Sequence, residues 1–366
     1  RGRGRRAGRG RAGPGAGLSV RAHAIAMGRG DNVGRHRFRY PVSRVVSLIS
    51  VLVLAASLLA APARADRALV EQAASLERLH ALLVLRQGRA VVEHVQAGPG
   101  PSAPASIKSL SKTVLSALAG IAIERGMIGS VDRPIVEIIG REPAGADPRV
   151  AGITLGHALS LQAGLRSTSG RYYGAWVRSD DWVRHVLTRP FVAEPGGRMI
   201  YSTGSTHLVS AALVAASGRS TLALAREWLG EPLDVRVPDW MTDPQGVHFG
   251  GNQMLLSPRA LARLGETYRC GGRYRGASIV PEAWVRASWT AYGTSPWSGD
   301  DYGYGWFITE LAGERAYYGR GYGGQALFVV PSRALTLVVT SDPTPPSSGA
   351  YFDRIKRLAA RAVAAA

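Results

Sequence analysis

The chain reads as an α/β (α+β) protein: an antiparallel sheet flanked by terminal helices, with a mostly helical subdomain inserted. Three observations predict this. Short β-like runs broken by Gly and Pro stand near both ends of the body, within residues 82–95 and 304–341. Residues 113–230 between them read as mainly helical. Helical patterns open and close the body, at residues 67–82 and 351–365. At 366 residues and 46% hydrophobic content the chain can bury a sizeable core, as one large domain or two ordinary ones.

Taken in order, RALVEQAASLERLHAL from Arg67 is an amphipathic helix. The apolar runs Leu82–Leu85 and Ala90–Val95, joined by Arg86-Gln87-Gly88-Arg89, form a hairpin. Residues 97–105, rich in Pro, Gly, Ser and Ala, are a loop. Thr113 to Arg125 is a helix, and loops interrupt the helical middle at Gly140–Asp147 and Gly164–Ser179. Four strands are expected at Tyr304–Leu311, Arg315–Gly319, Ala326–Val330 and Leu335–Ser341, before a last helix from Tyr351 to Ala365. There is no internal repeat.

The net charge of +19 looks like a nucleic-acid signal, but its distribution says otherwise. Residues 1–65 hold thirteen arginines and one acid, leaving only +7 for the remainder. That moderately basic body suits proximity to an anionic cell wall or membrane surface, and no basic stripe stands out. Residues 1–44 divide into an Arg/Gly-rich arm, expected to be disordered, and a basic n-region with Arg35, Arg37, Arg39 and Arg44. Residues 45–65 supply an apolar h-region and Ala63-Arg64-Ala65, the small-residue pattern of a signal-peptidase site. The expectation is cleavage after Ala65, a mature domain over 66–366, and a periplasmic or secreted protein. Residues 1–26 are either an RNA-binding arm or sequence upstream of a start at Met27; the complete export signal after Met27 favours the second. An uncleaved anchor is the alternative for the apolar segment, whose seventeen residues are short for a span. Cys270 is the sole cysteine, so no intrachain disulfide can form.

The chemistry begins at Ser109-Leu110-Ser111-Lys112. On a helix, residues three apart share a face, so the Ser109 hydroxyl and the Lys112 amine point into one space. Serine needs a neighbouring base to become a nucleophile. Lysine serves only if burial or positive charge pulls its pKa below about 10.4. Only three of the 45 basic residues are lysine, and arginine cannot shed its proton. Ser-x-x-Lys alone is a short pattern, and serine is also a common N-cap. Two further segments point the same way. Tyr201-Ser202-Thr203-Gly204 follows Pro195-Gly196-Gly197 and offers a phenol for proton relay. Gly319-Arg320-Gly321-Tyr322-Gly323-Gly324-Gln325 precedes an apolar run; its G-x-G-x-x-G match lacks the strand-then-helix context of a dinucleotide site. It reads instead as a glycine-rich edge strand whose bare backbone admits a substrate. One N–H there, with that of Ser109, would form an oxyanion hole.

These residues resemble the serine beta-lactamase-related hydrolases of the class C type. That family includes class C beta-lactamases, D-alanyl-D-alanine carboxypeptidases, esterases and 6-aminohexanoate-dimer hydrolases. The resemblance implies the two-part beta-lactamase/transpeptidase-like fold, with Ser109 as nucleophile, Lys112 as base and Tyr201 as proton relay. It places 321–325 where the family has Lys-Thr-Gly or His-x-Gly, so Tyr322, Gly323, Gly324 and Gln325 become candidates for the oxyanion and substrate contacts. Two departures matter. Thr203 stands where the beta-lactamases have asparagine, and the third motif lacks the cation that holds a substrate carboxylate, unless Arg320 substitutes. Together YSTGSTHL, GYGGQ and Tyr302–Trp306 resemble the esterase and nylon-oligomer hydrolase branch most. A D-alanyl peptidase or weak beta-lactamase is the nearest rival, and a non-catalytic cell-wall binding protein the rival of another class.

Other patterns add less. G-x-S-x-G and H-E-x-x-H are absent, so neither a nucleophile elbow nor a metal site is indicated, and no cofactor is implied. His207 reads as packing or helix surface. Tyr172 and Tyr173 are candidates for lining the substrate pocket, as, less strongly, are Trp176, Trp297, Tyr302, Tyr304 and Trp306. The expected partner is a small-molecule ester or amide, not nucleic acid; the sequence does not fix the oligomeric state.

Overall fold

The computed structural model describes residues 66–366. The arginine-rich arm and the expected export signal with its cleavage point lie outside the described residues.

Residues 66–74 are helical (α1). The hairpin Leu79–Arg86 (β1) and Arg89–Val95 (β2) follows. Its tight turn puts Gln87 at φ +50° and Gly88 at +76°, the left-handed pair that a two-residue hairpin loop requires. The predicted helix over 67–82 therefore stops early. Leu79 to Leu82 belong to β1, where Leu82 and Val84 face one layer and Ala81 and Leu83 the other. Burial on both faces and pairing with the last strand (Leu82↔Val339) outweigh the local helical period.

The middle contains Ser111–Glu124 (α2), Thr203–Ser217 (α3) and Pro258–Arg269 (α4), linked by several shorter helices. One of these, Tyr173–Val177, lies inside the stretch expected to be a loop. The C-terminal strands are Gly293–Thr294 (β3), Asp301–Tyr302 (β4), Phe307–Leu311 (β5), Glu314–Gly321 (β6), Gln325–Val330 (β7) and Leu335–Ser341 (β8), before helix Gly349–Ala364 (α5). All eight join one antiparallel sheet in the order β2-β1-β8-β7-β6-β5-β4-β3. The N-terminal hairpin thus completes a sheet whose other strands come from the C-terminal part.

The sheet separates two cores. Leu327, Val329 and Val338 face α4 on one side, in a core that α2 and α3 also help to build. Phe328, Val330, Leu337 and Val339 meet α1 and α5 on the other. Alternation along each strand sends neighbours to opposite layers, so these strands read as continuous apolar runs. The glycine-rich segment is not an edge strand. It is the end of β6, inside the sheet, where β6 outruns its neighbour: pairing with β5 stops at Tyr318↔Phe307, while pairing with β7 continues to Gly321↔Gln325. Past Tyr318 one side of β6 is therefore open, and that side borders the site.

Candidate active site

A short strand, Ala105–Ser106, pairs with Leu255–Leu256 and delivers the chain to a kink. Lys108 sits there at φ +51°, a left-handed conformation that costs a lysine energy. A single 3₁₀ turn, Lys108–Leu110, carries Ser109, and α2 begins at Ser111. Ser109 is part-exposed, whereas Lys112 is 2% exposed. Lys112 Nζ stands 3.2 Å from Ser109 Oγ.

Lys112 has no carboxylate partner among the described residues. It donates to the Gly251 carbonyl at 2.7 Å, lies 3.4 Å from Thr203 Oγ1, and stands 4.9 Å from the centre of the Tyr201 ring. Burial lowers its pKa from the ordinary lysine value, opposed in part by the Tyr201 phenol. Thr203 opens α3, with its N–H donated to Ser169 Oγ at 2.9 Å and its hydroxyl also 2.9 Å from that oxygen. The residue standing in place of an asparagine is thus one link of a hydroxyl chain, Lys112–Thr203–Ser169.

The loop that supplies the Gly251 carbonyl carries no motif that marks it in the sequence. Gly251 is at φ +79°, and a Cβ there would fall 2.0 Å from Thr206 Oγ1; one on Gly250 would fall 2.3 Å from the Thr206 carbonyl. Only two bare residues let this loop lie flush on α3 and reach Lys112. His207 fixes it from behind. The Gly250 N–H donates to His207 Nδ1 at 3.3 Å, so Nε2 carries the proton toward Asp243 Oδ2, 3.0 Å away. Both side chains are fully buried, and Trp176, Trp182 and Phe249 pack around the imidazole. His207 is therefore core, not helix surface, and its imidazole is committed to Asp243 and Gly250. The Gly-Gly pair after an aromatic residue was the available sequence signal.

The opposite wall is the end of β6. A Cβ on Gly319 would meet Thr113 Oγ1 at 2.5 Å, and one on Gly321 would meet the Ile107 carbonyl at 2.3 Å. These glycines bring the strand into contact with the segment around the Ser109 turn. Alternation then sends Arg320 to the other face, where its guanidinium lies 4.0 Å from the centre of the Phe352 ring. Arg320 nevertheless borders the cleft. Tyr322 borders the cleft; Gly323, Gly324 and Gln325 do not. Gly323 abuts Pro343, Gly324 abuts Tyr351, and the Gln325 amide is bonded to the Ser341 backbone. The turn carries these three away from Ser109 toward α5, because Gly323 and Gly324 take φ values of +80° and +100°.

Between the walls lies a cavity of about 570 Å³, lined by Ser109, Tyr201, Thr203 and Tyr322 among others. Tyr173 lines it and accepts a hydrogen bond from Asn252 Nδ2 at 3.2 Å. Tyr172 lies outside it, its ring 4.8 Å from the guanidinium carbons of both Arg171 and Arg189. Trp297, 72% exposed, overhangs the opening with its ring edge-on to Tyr201. Tyr302, Tyr304 and Trp306 are buried packing residues. Beside them, Gly305 sits against the Lys112 carbonyl and accepts from Thr113 Oγ1 at 2.7 Å, seating α2 on the sheet.

Comparison with known proteins gives a consistent result. The family model described as Beta-lactamase matches residues 77–361. No curated protein sequence matches the chain significantly. Among solved structures, a penicillin-binding protein homologue from Caulobacter crescentus superposes with a TM-score of 0.67 at 20% identity, covering 83% of this chain and 98% of that one. A Bacillus anthracis protein provisionally described as a 6-aminohexanoate-dimer hydrolase gives 0.66 at 19% identity, covering 78% and 79%. A D-stereospecific amidohydrolase from Streptomyces sp. gives 0.62 at 15% identity, covering 80% and 98%. At these identities the likeness is one of fold.

Proposed function

The chain belongs to the beta-lactamase family of serine hydrolases, and on that premise we propose that it cleaves an ester or amide bond through an acyl-enzyme on Ser109. The observation that carries this is the 3.2 Å contact between the Ser109 hydroxyl and a buried amine with no acid beside it.

Neutral Lys112 takes the Ser109 proton as Oγ bonds to the substrate carbonyl carbon. The carbonyl oxygen becomes an oxyanion, held by two backbone N–H groups. Ser109 supplies one, since the first N–H groups of a helical turn have no acceptor within it. Tyr322 supplies the other: Gly321 turns its carbonyl to Gly324 N–H across the hairpin, leaving Tyr322 to face the open side of β6. The proton on Lys112 passes by way of Tyr201 to the leaving oxygen or nitrogen as its bond to carbon breaks. Water then attacks the acyl carbon, gives a proton back through the same groups, and frees Ser109 and a carboxylic acid. Proton transfer of this kind is typically worth about 10² to 10⁴ in rate.

The test is intact mass after exposure to a fluorophosphonate, p-nitrophenyl esters, a penicillin and a linear amide dimer. A single adduct that Ser109→Ala abolishes is expected; a folded protein that forms no adduct and turns over none of them would be a binding protein. The branch of the family is read from which compound turns over fastest. We further propose export with cleavage after Ala65, on the strength of the apolar segment and Ala63-Arg64-Ala65. N-terminal sequencing of the mature protein should then begin at Asp66.

A further inference from the structure

Lys108 is not used by the mechanism above. It borders the same cavity as Ser109, on the residue immediately before it. Among the described residues its Nζ has one partner, the neutral amide oxygen of Gln253 at 3.2 Å. An ammonium carries three N–H donors, so two remain for a ligand. Among the described residues no Asp or Glu lines the cavity. A second cation, Arg320, also borders the cavity, with its guanidinium over the Phe352 ring. Among the described residues the cavity wall thus carries two cations, Lys108 and Arg320, with no acid to balance them, and Lys108 is the one that adjoins Ser109.

The backbone makes the placement specific. Lys108 adopts φ +51°, and its Cβ packs against Gly321, where an added Cβ would come within 3.1 Å. Gln253, its partner, is also left-handed at φ +62°, and its amide oxygen is held a second time by Ser106 Oγ at 2.9 Å. Two strained residues are thus pinned so that amine and amide meet at the cavity wall. Strain of this kind persists where surrounding packing enforces it, and it clusters at functional sites. In a chain that uses arginine for nearly all its positive charge, a lysine here supplies a compact point charge rather than a planar fork.

We propose that Lys108, with Gln253 beside it, is a subsite for an anionic group on the substrate, so that the preferred ester or amide carries a carboxylate. This rests on the hydrolase reading. An anion entering the cleft gains a charge-assisted hydrogen bond in a partly desolvated setting, where such bonds are strongest.

The experiment separates binding from turnover. Equilibrium binding of the p-nitrophenyl half-ester of adipic acid, and of p-nitrophenyl hexanoate, is measured on Ser109→Ala protein. A second, leaving-group-charged pair is a carboxylated nitrophenyl hexanoate against its uncharged parent. At least one anionic ester should bind about ten- to a hundredfold more tightly than its neutral partner. Adding Lys108→Gln should erase that preference, Lys108→Arg should keep most of it, and raising the salt concentration should weaken it. In protein with Ser109 restored, the kcat/KM ratio of the same pair should follow. Equal affinity for charged and neutral members of both pairs, or a preference that survives Lys108→Gln, would overturn the subsite. Charge-selective binding without turnover after Ser109 is restored would leave the subsite standing and sink the hydrolase reading; turnover without selectivity would do the reverse.

Discussion

Two amines on opposite faces of the sheet are treated in opposite ways. Lys356, on α5, stands 3.0 Å from both Asp300 carboxylate oxygens, and the Tyr318 hydroxyl donates to the same carboxylate at 2.6 Å. Lys112, on α2, is deeper and meets a serine, a threonine, a carbonyl and a phenol ring. In the first region charge is kept and neutralised by its opposite. In the second it is discouraged, because burial penalises the ammonium and no acid repays it. One residue type thus serves as a structural clamp on one face and, on the other, is held toward the neutral form that the proposed base role requires; the deciding difference is a single carboxylate.

The strongest way to break this contrast is to remove the poised amine. Lys112→Ala should lower the rate of Ser109 acylation by about 10² to 10⁴, measured by single-turnover mass spectrometry, while thermal unfolding stays cooperative. A sharper move gives Lys112 what Lys356 has. Thr203→Asp places an acid at the position 3.4 Å from its Nζ. The lysine pKa should rise, and the acid limb of the pH–rate profile should move to higher pH by roughly one unit or more. The same contrast has a stability consequence in the wild type. Between the lowered pKa of folded Lys112 and about 10.4, the unfolded chain binds a proton that the folded chain does not, so stability should rise with pH across that window. Lys112→Met should flatten that rise, as read by urea denaturation at a series of pH values.

Smaller effects belong to the supports. His207→Phe removes the partner of Asp243 Oδ2, leaving only the Gln245 and Val247 N–H groups on Oδ1, and frees the Gly250–Gly251 loop; about 2 to 3 kcal/mol of stability should be lost. Acylation should slow as the Gly251 carbonyl loosens its hold on Lys112, through kcat more than KM. Asp300→Asn strips Lys356 of its partner and should cost about 1 to 3 kcal/mol in urea denaturation, discounted because Lys356 is partly exposed. Its acylation pH profile should match the wild type, since Asp300 sits on the other side of the sheet from Lys112. At the opening of the cleft, Trp297→Ala should change KM by only a few fold, because this ring is mostly exposed and backs the pocket from one side.

What was legible in the sequence follows from distance along the chain. Ser109 and Lys112 are three apart, so helical geometry alone brings them together. The core strands β7 and β8 were visible because burial on both faces writes an unbroken apolar run. The Gly251 carbonyl lies 139 residues from the lysine it holds, and Asp243 lies 36 from His207, so neither left a local pattern. The glycine run was visible as a close approach, but its register was not. Gly319 and Gly321 make that approach, while Gly323 and Gly324 serve a turn, and nothing short of the strand pairing separates the two uses. The first helix was overdrawn for the same reason. Leu79–Leu82 fit a helical period, and only pairing with β8 turns them into a strand.

The most direct test of the account is the pH dependence of Ser109 acylation by an activated ester, followed by intact mass under single-turnover conditions. With Lys112 as the base, the rate should rise with pH and level off at an apparent pKa below about 10.4, with that limb absent in Lys112→Ala. A rate that keeps climbing in proportion to hydroxide, or a Lys112→Ala variant that retains the same limb, would contradict it.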